Sequence, residues 1–423
     1  MSFIRFVEHN ILDENIKSIK NSNEIFFILM YFVKNIDLFK KKARFMTAEG
    51  GQMKRTPLLV LVFMFLILIS TSQTSLGIEK KQKKEKKDKR TSAVVLPIAF
   101  YQPETKWGGG VGGLITYRPQ NSSEETRPSS LYFQAYYTQK KQYGIELKPE
   151  LYLKKENYFV KLYLKTSKFP SKYWGIGNQT PNEAEEDYTP RMFNFDLSIQ
   201  RRILHKERFY VGAQYKYENY EIIKYDPDGE LSKGLVTGSE GGKLSSLGFI
   251  LNWDKRDKIF FPHKGNYFQM TMDFYSPTLG SDFKFTSCKL DLRKYFPVTE
   301  SHVFAAQAII QLVSGSPPFR HMSEIGGEMV MRGYYSGRYR DMSMIVIQTE
   351  LRLKVWKRLG MVVFAGAADL GDRLGKLSLD SVKYSVGFGL RFLVVPKEGT
   401  NIRIDQGWGK GTSGFYIMAD EAF

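Results

Sequence analysis

Histidine and cysteine are the residue types most often used for catalysis and metal binding, and their spacing here supports neither. Cys288 stands alone, so no Cys-rich zinc site and no intrachain disulfide can form. In the regularly patterned part of the chain, His205, His263 and His302 fall in predicted short turns, and only His321 falls in a long loop. No serine motif adjoins His321, so it has no nucleophile to activate. The sequence therefore predicts no catalytic residue, no cofactor and no metal site.

Arginine and carboxylate side chains offer a different chemistry, the buried ion pair. Arg332 is followed by Gly333 and Tyr334 in the longest predicted loop, and strand alternation turns Glu350 and Asp369 toward the same polar side. A guanidinium in a partly dehydrated interior needs carboxylate partners, which its planar fork can bind bidentately. We therefore expect Arg332 to pair with Asp369, Glu350 or both, as a latch. Gly333 would then allow close backbone approach, and Tyr334 would pack in the wall.

Strands must position these residues, because the chain from Val94 onward alternates with a period of two and has no helical period. Ile345, Ile347 and Leu351, for example, alternate with Gln348 and Glu350. A soluble sandwich turns its apolar face inward and seldom needs strands of this length. In an exported chain, a long apolar face opposite a charged one favours a transmembrane barrel, which must close because unpaired backbone groups are costly in hydrocarbon.

The predicted fold is thus all-β, a 16-stranded antiparallel transmembrane β-barrel, with the even strand number of bacterial single-chain barrels. The long connections at 170–189, 224–242 and 314–340 all fall at one end, and mostly short turns fall at the other. Trp253 and Trp356, near strand ends, are expected in the interfacial aromatic belt. The strands are predicted at 94–102, 107–118, 129–139, 142–154, 156–168, 190–203, 207–222, 243–255, 264–275, 283–296, 301–313, 341–355, 360–370, 381–394, 400–408 and 413–423.

The N-terminal segments differ in composition from the barrel, predicted at 93–423. Residues 53–77 have a positive start, an apolar core too short to span a membrane and a small-residue exit, which together indicate a signal peptide. Residues 1–52 are then an upstream extension; the alternative is that the apolar stretch at 25–33 joins the later one as an anchor. Residues 78–92 form a basic leader, either solvated and disordered or a docking tail for anionic headgroups or an acidic partner.

The net charge of +18 does not indicate a nucleic-acid partner. Residues 1–55 carry ten basic against six acidic side chains and residues 79–90 carry eight against three, which together account for half of that charge. The other half is spread without a run of like charges, unlike a phosphate-binding stripe. A mean hydropathy of −0.33 excludes a helical membrane bundle, and 31 Phe with 25 Tyr exclude a disordered chain.

Several motifs resemble those of the bacterial surface antigen superfamily of outer-membrane assembly and translocation barrels, the BamA and TamA type. The resemblance covers residues from about 94 to 423. The motifs are Arg332-Gly333-Tyr334 in the sixth outer loop, Asp254, Arg256 and Asp257 with Pro262 and Gly265 in an inner turn, Glu350 with Arg352, Asp369 after Phe364, the loop Tyr173-Trp174-Gly175-Ile176-Gly177-Asn178, and the final Phe423.

The resemblance implies that the sixth outer loop folds inward and that Phe423 belongs to a C-terminal insertion signal. Because the sequence offers no catalytic residue, we also predict that the protein is not an enzyme. The resemblance also implies assisted insertion or translocation of client proteins through a lateral seam between the first and last strands, with outer-membrane lipid as the surroundings. Glycines such as Gly110, Gly407 and Gly409 either loosen that seam or serve ordinary close packing. Two features depart from the family: Glu421 stands where an apolar residue is expected, and no POTRA module fits before the barrel, so a periplasmic partner subunit would capture substrates.

Two alternative functions stay open at this point. A passive, porin-like channel is one, although a loop inside the barrel argues against free flow. An outer-membrane hydrolase is the other, and it has only His321 as a candidate residue at the outer end.

Overall fold

The computed structural model describes residues 91–102, 106–118, 126–204, 207–396, 399–419 and 421–423. All of them belong to the second of the two units into which the chain divides, Met1–Glu85 and Lys86–Phe423. The predicted extension at 1–52, the signal peptide at 53–77 and most of the leader at 78–92 lie outside the described residues, as does His205. Thr91 and Ser92 already belong to the first strand, so that strand begins before the predicted barrel boundary at residue 93.

Within the described ranges the chain forms sixteen long strands, with three short strands in the loops. In chain order the strands are β1 (Thr91–Gln102), β2 (Lys106–Tyr117), β3 (Ser129–Thr138), β4 (Tyr143–Leu153), β5 (Tyr158–Lys168), β6 (Ser171–Tyr173), β7 (Glu186–Leu204), β8 (Phe209–Tyr225), β9 (Gly241–Asp254), β10 (Gly265–Tyr275), β11 (Phe285–Pro297), β12 (Val303–Gly315), β13 (Ser323–Ile325), β14 (Tyr339–Asp341), β15 (Ser343–Trp356), β16 (Leu359–Gly371), β17 (Lys383–Val395), β18 (Thr400–Gly409) and β19 (Thr412–Ala419). The short ones are β6, β13 and β14.

The helices of the described residues are 3-10 turns of three residues each, at Asn182–Ala184, Pro277–Leu279, Phe319–His321, Leu374–Lys376 and Leu379–Ser381. None of these helices is long and apolar enough to cross a membrane.

Each long strand pairs in antiparallel register with the next long strand along the chain, from β1 with β2 to β18 with β19. The prediction of an all-β, sixteen-stranded antiparallel fold is confirmed. Most strand ends lie within three residues of prediction; β7, however, begins at Glu186 rather than at 190, and β19 ends at Ala419 rather than at 423.

The two faces of the sheet are opposite in polarity, as β15 illustrates. Ile347 is 55% exposed, whereas Glu350 and Arg352 are at most 1% exposed. The exposed row is apolar and the buried row is polar along most of the sheet, which is the arrangement of a barrel surrounded by lipid rather than of a water-soluble core.

Contacts between distant strands enclose the polar face. Arg127, which precedes β3, donates to Asp254 at the end of β9 across 2.6 Å. Asn178, which precedes β7, donates to Asp369 on β16, and the Gly177 amide donates to the Arg340 carbonyl across 2.7 Å. Because β7 and β16 lie about halfway round the meander from each other, the sheet curls around its polar face into a barrel.

Candidate functional site

The connection between β12 and β15, residues 316–342, sends its tip into the interior of the barrel. The paired strands β13 and β14 form its stem. At the tip, Gly333 has φ = 115°, and a Cβ there would lie 2.6 Å from the carbonyl carbon of Trp408 on β18. Only glycine combines this backbone conformation with so close an approach. The backbone of the tip therefore rests directly on the backbone of β18.

Arg332 is held between two carboxylates in the interior. Its Nη1 donates to Asp405 Oδ2 across 2.6 Å, and its Nη2 donates to Glu350 Oε1. The guanidinium carbon lies 3.6 Å from the centre of the Phe364 ring, a cation–π contact. Arg332 is 2% exposed, and both carboxylates are fully buried. Such a charge-assisted pair, shielded from water, fixes the tip against the wall.

Tyr334 and the Gly333 amide attach the tip to β17 and β19. The Gly333 amide donates to the Tyr416 hydroxyl across 3.0 Å. The Tyr334 hydroxyl donates to the Tyr384 carbonyl and accepts from the Lys410 amide, each across 3.0 Å. Burial raises the pKa of the Tyr334 phenol, so it remains a neutral donor. The tip thus contacts strands on both sides of β18.

The carboxylates that hold Arg332 also bind three further arginines from neighbouring strands. Asp405 accepts from Arg391 across 2.5 Å and from Arg403 across 2.7 Å. Glu350 accepts from Arg352 across 2.8 Å. The result is one buried network in which each carboxylate is shared, as burial of charge requires.

Asp369 does not belong to this network, so of the two carboxylates predicted as alternative or joint partners of Arg332 it is Glu350 that binds it. Asp369 Oδ1 accepts from Asn178 and from the Ser381 hydroxyl (2.8 Å), and Asp369 Oδ2 accepts from the Ser378 amide across 2.8 Å. Asn178 closes the predicted Tyr173–Asn178 loop motif. Asp369 therefore joins two outer loops, one before β7 and one after β16.

The predicted inner-turn residues come together between β9 and β10. Asp254 accepts from Arg256 Nε across 2.9 Å and from Nη2 across 2.7 Å, in addition to the bond from Arg127. Burial alone would lower the pKa of Arg256, but the charge of Asp254 keeps it well above its usual value. Asp257 accepts from the amides of His263 (2.9 Å) and Lys264 (3.3 Å).

The last two residues of the motif, Pro262 and Gly265, lie where the turn leads into β10. Pro262 is buried, and Gly265 has φ = 111°, which side chains rarely allow, and an added Cβ there would overlap the backbone of Lys255. Asp254 and Arg256 thus bind each other, whereas Asp257 binds backbone amides of the turn.

Phe423 lies in the interior instead of ending a lipid-facing strand, which corrects the predicted extent of β19. Its side chain is 3% exposed and clusters with Tyr295, Val303 and Ala305 on the inner face. Its backbone oxygen accepts from Arg352 across 2.7 Å. Glu421, the residue that departed from the family pattern, accepts from Arg391 across 2.7 Å. The C-terminal residues thus join the network that holds Arg332.

The side chains of this site meet through ion pairs and hydrogen bonds. His321 contacts Glu218 (Nε2–Oε2 3.3 Å) and stacks edge-on with Tyr275 and Phe285. In the described part of the chain no group of three histidine, cysteine or carboxylate side chains is placed to hold a metal ion.

Sequence reasoning missed Asp405, Arg391 and Arg403 as members of the site. The available signal was their spacing, because Arg403 and Asp405 share one face of β18 and charged residues facing a dehydrated interior require partners. The alternation of polar and apolar residues predicts on which face of its strand a residue lies. It does not predict which strand the loop tip contacts.

The family model described as the Omp85 superfamily domain matches residues 122–396 of the chain. BamA from Haemophilus ducreyi lacking POTRA domains 1–3 is 14% identical over 78% of this chain and 69% of that chain, with a TM-score of 0.48. CdiB from Acinetobacter baumannii is 13% identical over 77% of this chain and 59% of that chain, with the same TM-score of 0.48. No curated protein matches the chain in sequence.

Members of this family are outer-membrane β-barrels that work with client proteins and partner subunits. The match covers well over half of the chain and confirms the resemblance drawn from its motifs. The chain belongs to the Omp85 superfamily.

Proposed function

We propose that this protein resides in the outer membrane and assists the insertion or translocation of other proteins through a lateral seam between β1 and β19. A Sec-type signal at 53–77 would export it, and a periplasmic partner subunit would deliver client proteins. No catalytic role is proposed.

The edges of the sheet are the observation that carries this proposal. Among the described residues, β1 pairs with β2 and β19 pairs with β18, so the two strands that end the meander are the ones between which a seam would lie. If this seam opens, its backbone edges are costly in hydrocarbon, so a strand supplied by another protein would be stabilised there by main-chain hydrogen bonds. The loop tip supports the same proposal, because it occupies the interior through which a solute would otherwise pass.

Folding of a client barrel tests this proposal. A small outer-membrane barrel is diluted from urea into liposomes that carry the protein, and its folding is followed by gel mobility. We expect folding to be faster than in liposomes that carry an inert barrel of equal size. Equal rates in the two liposome preparations would refute the proposal.

The seam itself is tested by cross-linking. Cysteine pairs are scanned between positions 93–97 of β1 and 415–419 of β19, in a chain that carries Cys288→Ser. A pair that forms a disulfide should abolish the acceleration of client folding, and reduction should restore it. Acceleration that persists in the cross-linked protein would place the activity elsewhere on the barrel.

One observation favours a passive channel as the second candidate. The interior near the loop end holds a cavity of about 420 Å³, lined by Asp196, Lys216, Glu218 and Asp273 among others. Charged walls of this kind suit water and small ions. Conductance separates the two functions, because only a channel conducts freely while the loop tip is in place.

A further inference from the structure

At four of the short turns, in the turn itself or in the strand end beside it, a lysine ammonium lies over an aromatic ring. The distances from the ammonium to the ring centre are 5.4 Å for Lys154 over Tyr158, 5.0 Å for Lys255 over Trp253, 5.4 Å for Lys294 over Phe296 and 4.7 Å for Lys357 over Trp356. We call these four lysines the lysine belt. The turns join β4 to β5, β9 to β10, β11 to β12 and β15 to β16, so the belt is distributed along much of the meander.

The rings of the belt face the surroundings of the barrel. Trp253 alternates with the buried Asn252 and Asp254, and Phe296 follows the buried Tyr295. On β15 a bulge between Lys354 and Trp356 changes the alternation and turns Trp356 outward, where it is 59% exposed. All four rings lie at the end of the barrel with short turns, which is the periplasmic end of bacterial outer-membrane barrels.

The positive charge of the belt is largely uncompensated. All four lysines are exposed, and Lys154, Lys294 and Lys357 form no ion pair with any described residue; Lys255 contacts Glu207. Of the acidic residues at this end, Glu156 and Asp254 are buried and already bound by arginines, and Asp257 and Glu300 are exposed but form no ion pair with a lysine of the belt. Further exposed basic residues occupy the same turns and the strand ends beside them, namely Lys155, Lys258, Lys264, Lys354 and Arg358.

We propose that the lysine belt binds the phosphate groups of anionic phospholipids in the inner leaflet of the outer membrane. Aromatic rings at strand ends sit at the level of the lipid headgroups, so each ring places its lysine beside the phosphates. A basic residue near an anionic bilayer surface strengthens binding about fivefold. The inference depends on the barrel being in a membrane but not on any activity toward client proteins.

Lipid fits the belt better than an acidic protein does. The four lysines lie at separate turns around the barrel instead of in one patch. Each of them also lies at the boundary of the apolar surface, where a phosphate is present at every position along the circumference. An acidic protein would need its charges arranged around the same circumference.

The test measures which lipids the whole protein retains. The barrel is reconstituted in nanodiscs of equal parts phosphatidylglycerol and phosphatidylcholine, then extracted in mild detergent, and the retained lipids are quantified by mass spectrometry. We expect the wild type to retain phosphatidylglycerol preferentially. The variant K154Q/K255Q/K294Q/K357Q should lose about tenfold or more of that preference, given the contribution of each lysine.

The matched control is K224Q/K233Q/K243Q/K284Q, which removes the same charge from exposed positions at the loop end. It should retain the wild-type preference. Equal retention in the belt variant and the wild type, or equal loss in both variants, would overturn the proposal. Binding of polyglutamate to the wild type in phosphatidylcholine discs, without any preference for phosphatidylglycerol, would also overturn it, in favour of an acidic protein.

A measurement on the wild type covers the case in which the belt variant does not fold. Brominated phosphatidylglycerol should quench tryptophan fluorescence more than brominated phosphatidylcholine does, and the difference should vanish in W253F/W356F. It should also shrink in high salt, which screens exposed charges. Equal quenching by the two lipids would contradict the belt.

Discussion

The contribution of an ion pair to the stability of this barrel depends on its burial, as two pairs with the same nitrogen–oxygen distance illustrate. Arg332 with Asp405 and Arg191 with Glu221 each have a nitrogen–oxygen distance of 2.6 Å. The first pair is enclosed in the interior, whereas more than half of each side chain in the second is exposed. Water and salt screen the exposed pair, but removing one partner from the buried pair leaves a charge without compensation.

Arg332→Met should therefore destabilise the protein. The loss of this guanidinium leaves Glu350 and Asp405 with fewer donors, and breaking a buried pair costs about 3 kcal/mol or more. Arg332→Lys should recover part of the loss, because an ammonium keeps the charge but cannot bridge two carboxylates as a fork does. The measurement is urea unfolding in detergent micelles.

Arg191→Met is the control for that experiment, since it breaks an ion pair of the same length. We expect no measurable change in the unfolding midpoint. Similar losses in Arg332→Met and Arg191→Met would mean that the interior around Arg332 is hydrated and that the loop tip is not held by the buried pair.

The contact of Arg332 with Glu350 could be anticipated from the sequence, because alternation places Glu350 on the polar face. The same rule places Asp369 there, and it does lie there. Its partner, Asn178, comes from an outer loop whose path over the barrel has no periodic signal. The sequence therefore predicts which face of the sheet a strand residue lies on. It does not predict which loop residue contacts it, because that depends on how the loops pack in the folded chain.

At the scale of elements, two glycines of β18 leave room for the loop tip. A Cβ on Gly407 would lie 2.7 Å from the backbone of Arg332, and a Cβ on Gly409 would lie 2.6 Å from the Tyr334 ring. The sequence left two roles open for these glycines, loosening of the seam and close packing. Close packing against the loop tip accounts for both positions.

Gly407→Ala should displace the tip, because backbone atoms cannot give way to the added methyl group. Overpacking of this kind costs about 1–3 kcal/mol. Trypsin should then cleave at Arg332, which is buried in the wild type. Gly375→Ala is the control, since its Cβ would meet nothing within 4 Å. If Gly407→Ala resists trypsin as the wild type does, the tip does not depend on this contact.

The C-terminal residues are the element that sequence reasoning placed least well. Alternation through Phe415 and Ile417 predicts a strand that continues to the last residue, and these two side chains do face outward. Glu421 was the discordant residue, and its partner Arg391 lies in the interior, so the chain leaves the strand to satisfy a charge. A polar residue that breaks an apolar row is thus a signal of a change in direction.

Phe423→Ala and Phe415→Ala should differ in effect for this reason. Phe423 is 3% exposed and Phe415 is 49% exposed. Truncating a fully buried phenylalanine costs about 3–5 kcal/mol, whereas the outward one loses only contact with detergent or lipid. The unfolding midpoints in urea should separate accordingly. Equal midpoints would indicate that Phe423 lies on the outer face in the membrane.

At the scale of the whole molecule, the sequence determines the barrel because the period of two runs through every long strand. That pattern predicts the number of strands, their approximate ends and the polarity of each face. It does not predict what fills the interior, which is set by the conformation of one loop and the last residues of the chain. These two features meet in one network, since Arg332 shares Glu350 with Arg352 and Asp405 with Arg391, and the C-terminal residues bind those same arginines.

The filled interior predicts a low conductance. Barrels of 16 to 18 strands are wide enough to leave an aqueous channel, so the inserted tip is what obstructs the path here. Replacing residues 328–335 by a Gly-Ser stretch of equal length removes the contacts of Arg332 and Tyr334, and conductance in a planar bilayer should rise several-fold. A Gly-Ser replacement of the exposed residues 372–376, outside the interior, should leave conductance unchanged. A wild-type conductance as high as that of the tip variant would favour the passive channel over an assembly or translocation barrel.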